Sequence, residues 1–296
     1  MGLVIVPTPL GNLRDITLRA LDVLRACDLI VAEDTRVARR LLAALDLPSK
    51  PLWSYREQNA AAVTAGILER ARDGTVALVS DAGMPSISDP GRDLVRAARD
   101  EGIAIEALPG PTAFVCAAVL SGFDLRGFSF QGFVPRAKGE RERAFAAALV
   151  QRAATVWYET PARVVATLET LVTIAPEGRI FVARELTKRY EQQLLGTPRD
   201  VLAQLEQPPR GEFVLVLEGR PQTSAVTRAP DFDPEMDAAI ESALWLGMSI
   251  PEIAREFSRR GLGVRDEIYR RASALRRKAR REEAAACAEP PGEPRP

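Results

Sequence analysis

Histidine is missing from all 296 residues of the chain. Its absence removes the usual proton shuttle near neutral pH and the commonest metal ligand together. Ser-His-Asp and Cys-His nucleophilic schemes are excluded with it. Cysteine is scarce: Cys27, Cys116 and Cys287 are odd in number, far apart and without CxxC spacing, which argues against a disulfide framework or a thiolate metal site. Net charge is lacking too, with 40 Lys+Arg against 40 Asp+Glu, so a nucleic-acid or membrane partner has to be sought in local charge. No apolar run approaches a membrane span. The opening MGLVIVPTPLG has no basic region ahead of its apolar residues and reads as a buried strand, not a signal peptide. A cytoplasmic protein without a metal is the expectation. No GxGxxG opens a helix and no GxxxxGK[ST] occurs, so the phosphates of dinucleotides and nucleoside triphosphates have no evident cradle.

What is present is α/β texture. The chain is 46% hydrophobic and long enough for two or three domains. Short β-rich runs (3–6, 29–32, 75–80, 103–108) alternate with helical patterns, among them one carrying Leu18, Leu21 and Leu24 on a face, one from Arg36, one opened by Asp89 and Pro90 and one after Thr112. A second set of runs (128–133, 154–159, 179–185, 190–195, 213–218) alternates with helices near 139–150, 161–174 and 198–206. The pattern predicts two α/β domains, 1–123 and 124–219, with a cleft between them. Residues 220–235 are rich in Pro, Ser and Thr and read as a linker. The segment 236–281 is helical throughout, with a capping box at Ser249 and Glu252. It fits equally a dimerisation bundle and a helix-turn-helix module. Between 251 and 281 eleven Lys/Arg face four Asp/Glu, a surplus that favours contact with RNA. The end, 282–296, is small, acidic and Pro-rich and is expected to be disordered.

Ligands of α/β sheets collect at the carboxyl ends of strands, and four loops there are unusual: VPTPLGNLRDI (6–16), AEDTR (32–36), SDAGMPSISDPG (80–91) and LPGPTA (108–113). Any one of them reads as tight-turn chemistry; four at successive strand ends point to a site. Backbone amides, small side chains and a few carboxylates, with no cluster of cations, suit S-adenosylmethionine, whose sulfonium is itself positive.

IVPTPLGNLRDITLRAL, AEDTR, LVSDAGMPSISDPG, LPGPTA, GFVPR, ARELTKRYE and GEFVLVLEG stand in an order and spacing that resembles the ribosomal RNA small subunit methyltransferase I family, the 16S rRNA cytidine 2′-O-methyltransferases of the tetrapyrrole methylase superfamily. The resemblance covers 1–219, and the helical tail resembles that family's C-terminal helix-turn-helix domain. It implies the two-domain tetrapyrrole-methylase fold, S-adenosylmethionine in the interdomain cleft, a homodimer, and cytoplasmic methylation of a cytidine ribose in the decoding region of the small ribosomal subunit. The chain departs from the family pattern in lacking histidine at Trp53–Asn59 and near Ala162, and in carrying Met84 where threonine is usual. Histidine is therefore dispensable to the shared chemistry.

Methyl transfer to a ribose hydroxyl needs alignment and a group to take up the 2′-proton. Glu185, Lys188, Glu159 and Asp34 are the candidates, each equally readable as an ion pair or helix cap. Arg36, Arg163 and Arg184 are candidate RNA contacts. Pro7, Ser80, Asp81, Ala82, Gly83, Pro85, Pro109, Gly110, Pro111, Thr112 and Tyr158 are candidate cofactor contacts. Two rivals stand beside this reading: a methyltransferase of the same fold acting on a tetrapyrrole precursor, and a non-catalytic ribosome-binding homologue.

Overall fold

A computed structural model of the chain describes residues 1–219 and 234–286. These fall into two compact units, Met1–Pro221 and Gln222–Pro296. The first unit opens with β1 (Gly2–Val6), α1 (Leu18–Ala26), β2 (Leu29–Ala32), α2 (Thr35–Ala44), β3 (Leu52–Ser54), α3 (Ala60–Asp73), β4 (Thr75–Val79), α4 (Arg92–Asp100) and β5 (Ile105–Ala107). Its strands form a parallel sheet in the order β3-β2-β4-β1-β5. Helices cover both faces, which is why β1, β2 and β4 are unbroken apolar runs. Val76 and Leu78 point to Ile67, Leu68 and Leu94 on one side. Ala77 and Val79 point to Leu24 and Leu42 on the other.

The chain continues through α5 (Ala113–Ser121), β6 (Ser129–Phe133), α6 (Lys138–Leu149), β7 (Thr155–Glu159), α7 (Val164–Ile174), β8 (Ile180–Arg184), β9 (Gln192–Gly196), α8 (Pro198–Gln204) and β10 (Phe213–Leu217). The second sheet runs β6-β7-β10-β8-β9. Only the β6–β7 pair is parallel. β10 alternates faces at a period of two: Phe213, Leu215 and Leu217 join Trp157, Phe145 and Leu168, while Val214 and Val216 meet Ala117 and Ala118 of α5. Full burial of each such side chain contributes about 1.5–3 kcal/mol.

Three differences from the sequence reading bear on the site. Helix α5 packs against the second sheet, so the chain changes sheets at 108–112, ahead of the expected boundary at 123. The alternation drawn from the sequence also passed over β3 and α3, a three-residue half-buried strand and the helix behind it. Asp89 and Pro90 do not open α4; Gly91 takes the cap position, at φ 144°, and leaves the Asp89 carboxylate in the preceding loop.

The second unit holds α9 (Pro234–Trp245), α10 (Ile250–Arg259) and α11 (Arg265–Ala286). Ile240, Ile253, Phe257, Ile268 and Ala272 form its core, and the Ser249–Glu252 capping box closes the start of α10. Helix α11 runs through Ala286, past position 282 where disorder was expected. Residues 287–296, and 220–233 of the expected linker, lie outside the described residues. No described helix is long and apolar enough to cross a membrane.

Candidate active site

The loops that leave β1, β4 and β5 are tied to one another. Gly83 and Thr8 exchange two backbone hydrogen bonds of 2.9 and 3.0 Å. The Thr8 hydroxyl donates to the Ser80 carbonyl at 3.1 Å, and the Ser80 hydroxyl donates to the Gly83 carbonyl at 3.0 Å. Gly83 sits at φ 81°, and a Cβ there would stand 3.1 Å from Leu10. Ser86 and Ser88 share the left-handed region at φ 69° and 63°, and so do Glu185 and Thr187 at 52° and 65° in the loop after β8. Side-chain-bearing residues held in that region mark loops whose surroundings over-determine them, as ligand sites do. The two strained loops are connected through the β1 loop, whose Asn12 amide donates to the Thr187 hydroxyl at 3.2 Å.

Between the sheets these loops enclose a cavity of about 350 Å³, within the range of small-molecule sites. Leu10, Met84, Ile87, Phe133, Tyr158 and Val214 supply an apolar wall, and Glu33, Asp81, Asp89 and Glu212 supply carboxylates. Burial, then repulsion from Asp81, pushes the Glu33 carboxyl up. Burial also raises Asp81. Asp89 is pushed up to about 7 by burial and by the negative charges of Glu33, Asp81 and Glu212. Glu212 is paired with Lys188 at 3.0 Å, and Arg56 offsets part of the charge on Glu33 and Asp81; the negative charge left over at Glu33, Asp81 and Asp89 favours a positive ligand. Tyr158, pushed up to about 12 chiefly by burial, stays a protonated donor.

The profile of the tetrapyrrole (corrin/porphyrin) methylases matches residues 2–202. A protein of Thermotoga maritima named ribosomal RNA small subunit methyltransferase I is 42% identical over 220 residues, 74% of this chain and 98% of its own. One of the same name from Micromonospora olivasterospora is 37% identical over 271 residues, 90% of this chain and 85% of its own. The chain belongs to the ribosomal RNA small subunit methyltransferase I family of tetrapyrrole methylases. Among solved structures, a diphthine synthase superposes with a TM-score of 0.57 at 15% identity, covering 73% of this chain and 89% of its own. A uroporphyrin-III C-methyltransferase of Thermus thermophilus superposes with a TM-score of 0.51 at 24% identity, covering 73% and 94%. At such identities the likeness establishes the tetrapyrrole methylase fold alone.

In this member of the methyltransferase I family, Asp81, Ala82, Gly83, Thr112 and Tyr158 line the cavity. The other candidate cofactor residues shape its rim: the Pro7 ring packs on Gly110, and the Pro111 carbonyl lies behind Gly83. Ser80 and Pro85 are buried in the loop, and Pro109 is exposed at the entry to α5. The candidate proton acceptors fare differently. Glu159 is fully buried; it accepts from the Thr160 amide at 2.7 Å and the Thr167 hydroxyl at 2.8 Å, and pairs with Arg163 at 2.6 Å. Burial alone would raise Glu185, but hydrogen bonds from Lys188 at 2.9 Å and the Glu212 amide at 3.0 Å, with the Lys188 and Arg184 charges, outweigh it and hold the carboxyl below its ordinary range. Lys188, flanked by Glu185 and Glu212, is held above its ordinary range despite burial, and stays charged. Asp34 caps α2, and the Arg36 guanidinium keeps its carboxyl well below the usual carboxylate range. Each of the four is taken up by a hydrogen bond or an ion pair within the protein.

The three candidate RNA contacts differ in how far they are occupied. Arg163 is spent on Glu159 and on the Val134 carbonyl at 3.0 Å. Arg184 is buried, donating to the Arg210 carbonyl at 2.7 Å and pairing with Glu206. Both brace the second sheet, Arg184 with its side chain 10% exposed and Arg163 with its side chain 24% exposed. Arg36, paired with Asp34 at 2.6 Å, keeps an exposed side chain. The residues that sequence reasoning passed over are Glu33, Asp89 and Glu212. Each stands inside a motif already quoted, AEDTR, SDAGMPSISDPG and GEFVLVLEG, and only Asp89 has a role in the sequence pattern, as the opening of a helix. Among the described residues no group of three or more Cys, Asp or Glu is arranged to hold a metal ion.

Proposed function

We propose that the chain is an S-adenosylmethionine-dependent methyltransferase that modifies the 2′-hydroxyl of a cytidine in small-subunit ribosomal RNA. The observation that carries this reading is the carboxylate-ringed cavity between the two sheets in a chain of the methyltransferase I family. An apolar wall suits an adenine, and the carboxylates of Glu33, Asp81 and Asp89, only partly offset by Arg56, suit a molecule bearing an ammonium and a sulfonium. Asp81, Ala82, Gly83, Thr112 and Tyr158 would touch the cofactor, with Pro7, Ser80, Pro85, Pro109, Gly110 and Pro111 fixing the loops behind them. When bound, the cofactor supplies a methyl group on a positively charged sulfur, an excellent leaving group.

The chain's own part is alignment, exclusion of water and removal of one proton. Asp89 is the residue suited to take the 2′-proton: it lines the cavity, and its carboxyl titrates at about 7, near the pH at which it must work. Glu159, Glu185 and Lys188 hold the walls in place, and Asp34 holds Arg36 at the edge. The substrate is rRNA or the assembled small subunit, in the cytoplasm. A homodimer is supported by α5, which leaves Val115, Val119 and Leu120 exposed on an otherwise packed helix. The positively charged faces of α10 and α11 suit RNA phosphates: Arg276 and Arg277 are exposed, while Arg259 and Arg260 are paired with Glu256.

The test is transfer of labelled methyl from S-adenosylmethionine to small subunits taken from cells without the protein, with the product mapped by its resistance to alkaline cleavage. Label at one cytidine ribose is the expected result. Label on a base, or label only on a tetrapyrrole precursor, would overturn the reading.

A further inference from the structure

A second, larger cleft of about 780 Å³ adjoins the first cavity and shares Glu33, Asp81, Ser88 and Asp89 with it. Its remaining wall comes from the turn after β3 and from the segment leading into α4, the part of the first sheet that no cofactor candidate touches. Two features separate it from an ordinary charged groove. Tyr55, in its lining, is 2% exposed, and its buried hydroxyl has no hydrogen-bond partner among the described residues. The buried Ser86 hydroxyl, held in place by a left-handed backbone, lacks one as well. Leaving a buried hydroxyl unpaired is unfavourable, so a lining with two of them is complementary to something polar. Two arginines also line it, each beside a carboxylate: Arg56, which donates to the Glu33 carbonyl at 2.9 Å and stands 3.9 Å from Asp34, and Arg92, which is 86% exposed and pairs with Asp93 at 3.0 Å.

We propose that this cleft receives one everted nucleotide of single-stranded RNA, its base turned toward Tyr55 and Ser86, its flanking phosphates at Arg56 and Arg92, and its ribose at the shared boundary of Glu33, Asp81 and Asp89. The inference rests on reading the chain as an RNA 2′-O-methyltransferase and says where in the molecule the nucleotide enters. Sequence-specific recognition of RNA works on unstacked bases that offer their Watson–Crick edge, and enzymes acting on one nucleotide draw it out of the stack into a fitted recess. Carboxylates accept from the exocyclic amine of a cytosine, and a tyrosine hydroxyl both donates and accepts, so this lining fits an amino-bearing base. The shared boundary puts the ribose beside the cavity proposed for the methyl donor and beside the carboxylate proposed to take its proton.

Two variants of the full chain separate the cleft from the cavity. Tyr55→Phe removes only the unpaired hydroxyl. Gln58→Trp places an indole in the cleft from an exposed position on its wall. Each is measured three ways: the Kd for S-adenosylmethionine, kcat and KM with small ribosomal subunits, and the affinity of a fluorescent single-stranded oligoribonucleotide containing the methylated cytidine, with S-adenosylhomocysteine present. Both variants should keep cofactor Kd within twofold of the parent chain, which also shows that they fold. Tyr55→Phe should raise KM about three- to tenfold, the worth of one hydrogen bond. Gln58→Trp should lower kcat/KM more than a hundredfold and weaken the oligoribonucleotide at least tenfold. Parent-like oligoribonucleotide affinity and kcat/KM in Gln58→Trp would overturn the assignment, and loss of cofactor binding in both variants would hand the cleft to the cofactor. If the unaltered chain binds the oligoribonucleotide yet methylates no small subunit, the parent reading fails while the cleft is still judged on the binding arm.

Discussion

Glu159 and Asp89 line the same cavity from different sheets, and their surroundings are opposites. Glu159 ends β7 with every side-chain contact satisfied: one amide, one hydroxyl and one guanidinium meet its two oxygens. Asp89 hangs in a strained loop, is pushed up to about 7, and faces Glu33, Asp81 and Glu212. The second sheet thus contributes a neutralised wall, in which Glu159–Arg163, Glu185–Lys188 and Arg184–Glu206 cancel in pairs. The first sheet contributes a negatively charged one. Chemistry and cation binding belong on the side where charge is left over, because a group already paired has no free energy to gain from a ligand.

The contrast is sharpest under single substitutions. Asp89→Asn should lower methyl transfer at saturating cofactor by about 10²–10⁴-fold, the usual worth of a general base, with cofactor affinity held near the parent's low-pH level; a variant within tenfold of the parent rate would move the base elsewhere. Glu159→Ala should act on the fold instead, leaving the half-buried Arg163 guanidinium and the buried Thr167 hydroxyl without their carboxylate, at a cost of about 1–3 kcal/mol. Thermal unfolding reads this directly, and an unshifted Tm would show that the second-sheet wall is not held as described. Gly83→Val forces a β-branched residue to φ 81° beside Leu10, at about 1–3 kcal/mol. Cofactor affinity should drop about ten- to hundredfold while unfolding stays cooperative, and normal affinity in a folded variant would place the cavity's ligand away from this loop. The smallest effect concerns the other unit: Arg276→Ala with Arg277→Ala should leave cofactor affinity alone and make the salt dependence of RNA binding shallower by about 2 in log–log slope. An unchanged slope would return those arginines to the role of a solvated helix face.

The strands that carry the site were legible in the sequence because they are buried on both faces and therefore apolar without interruption, as TVALV and FVLVL are. β3 was not, since three half-buried residues at a sheet edge have neither length nor alternation to announce them. The partner of α5 was equally hidden: AFVCAAVLS is apolar all round, and nothing in such a segment says which of two sheets it will meet. The loops at the strand ends announce themselves through their Gly and Pro content, yet the pairing of the charged groups inside them does not. SDPG reads as a helix start, but Gly91 takes the cap and frees Asp89. Whether a carboxylate is neutralised depends on residues distant in sequence, such as Gly211 and Glu212 beside Glu185, and local pattern carries no trace of them.

In the proposed reading Asp89 and its neighbours form a cation site that is under-neutralised until ligand arrives. It is tested most directly by calorimetric titration of S-adenosylmethionine from pH 5.5 to pH 8.5, in two buffers of different ionisation enthalpy. Below about 7 the Asp89 carboxyl is protonated in the free protein, so a positively charged ligand must displace that proton before it gains the attraction. Affinity should therefore rise with pH and level off above about 7, with release of a proton on binding below that point, and both effects should vanish in Asp89→Asn. Cofactor affinity that is flat across the range, with no proton released by the parent chain, would contradict the account.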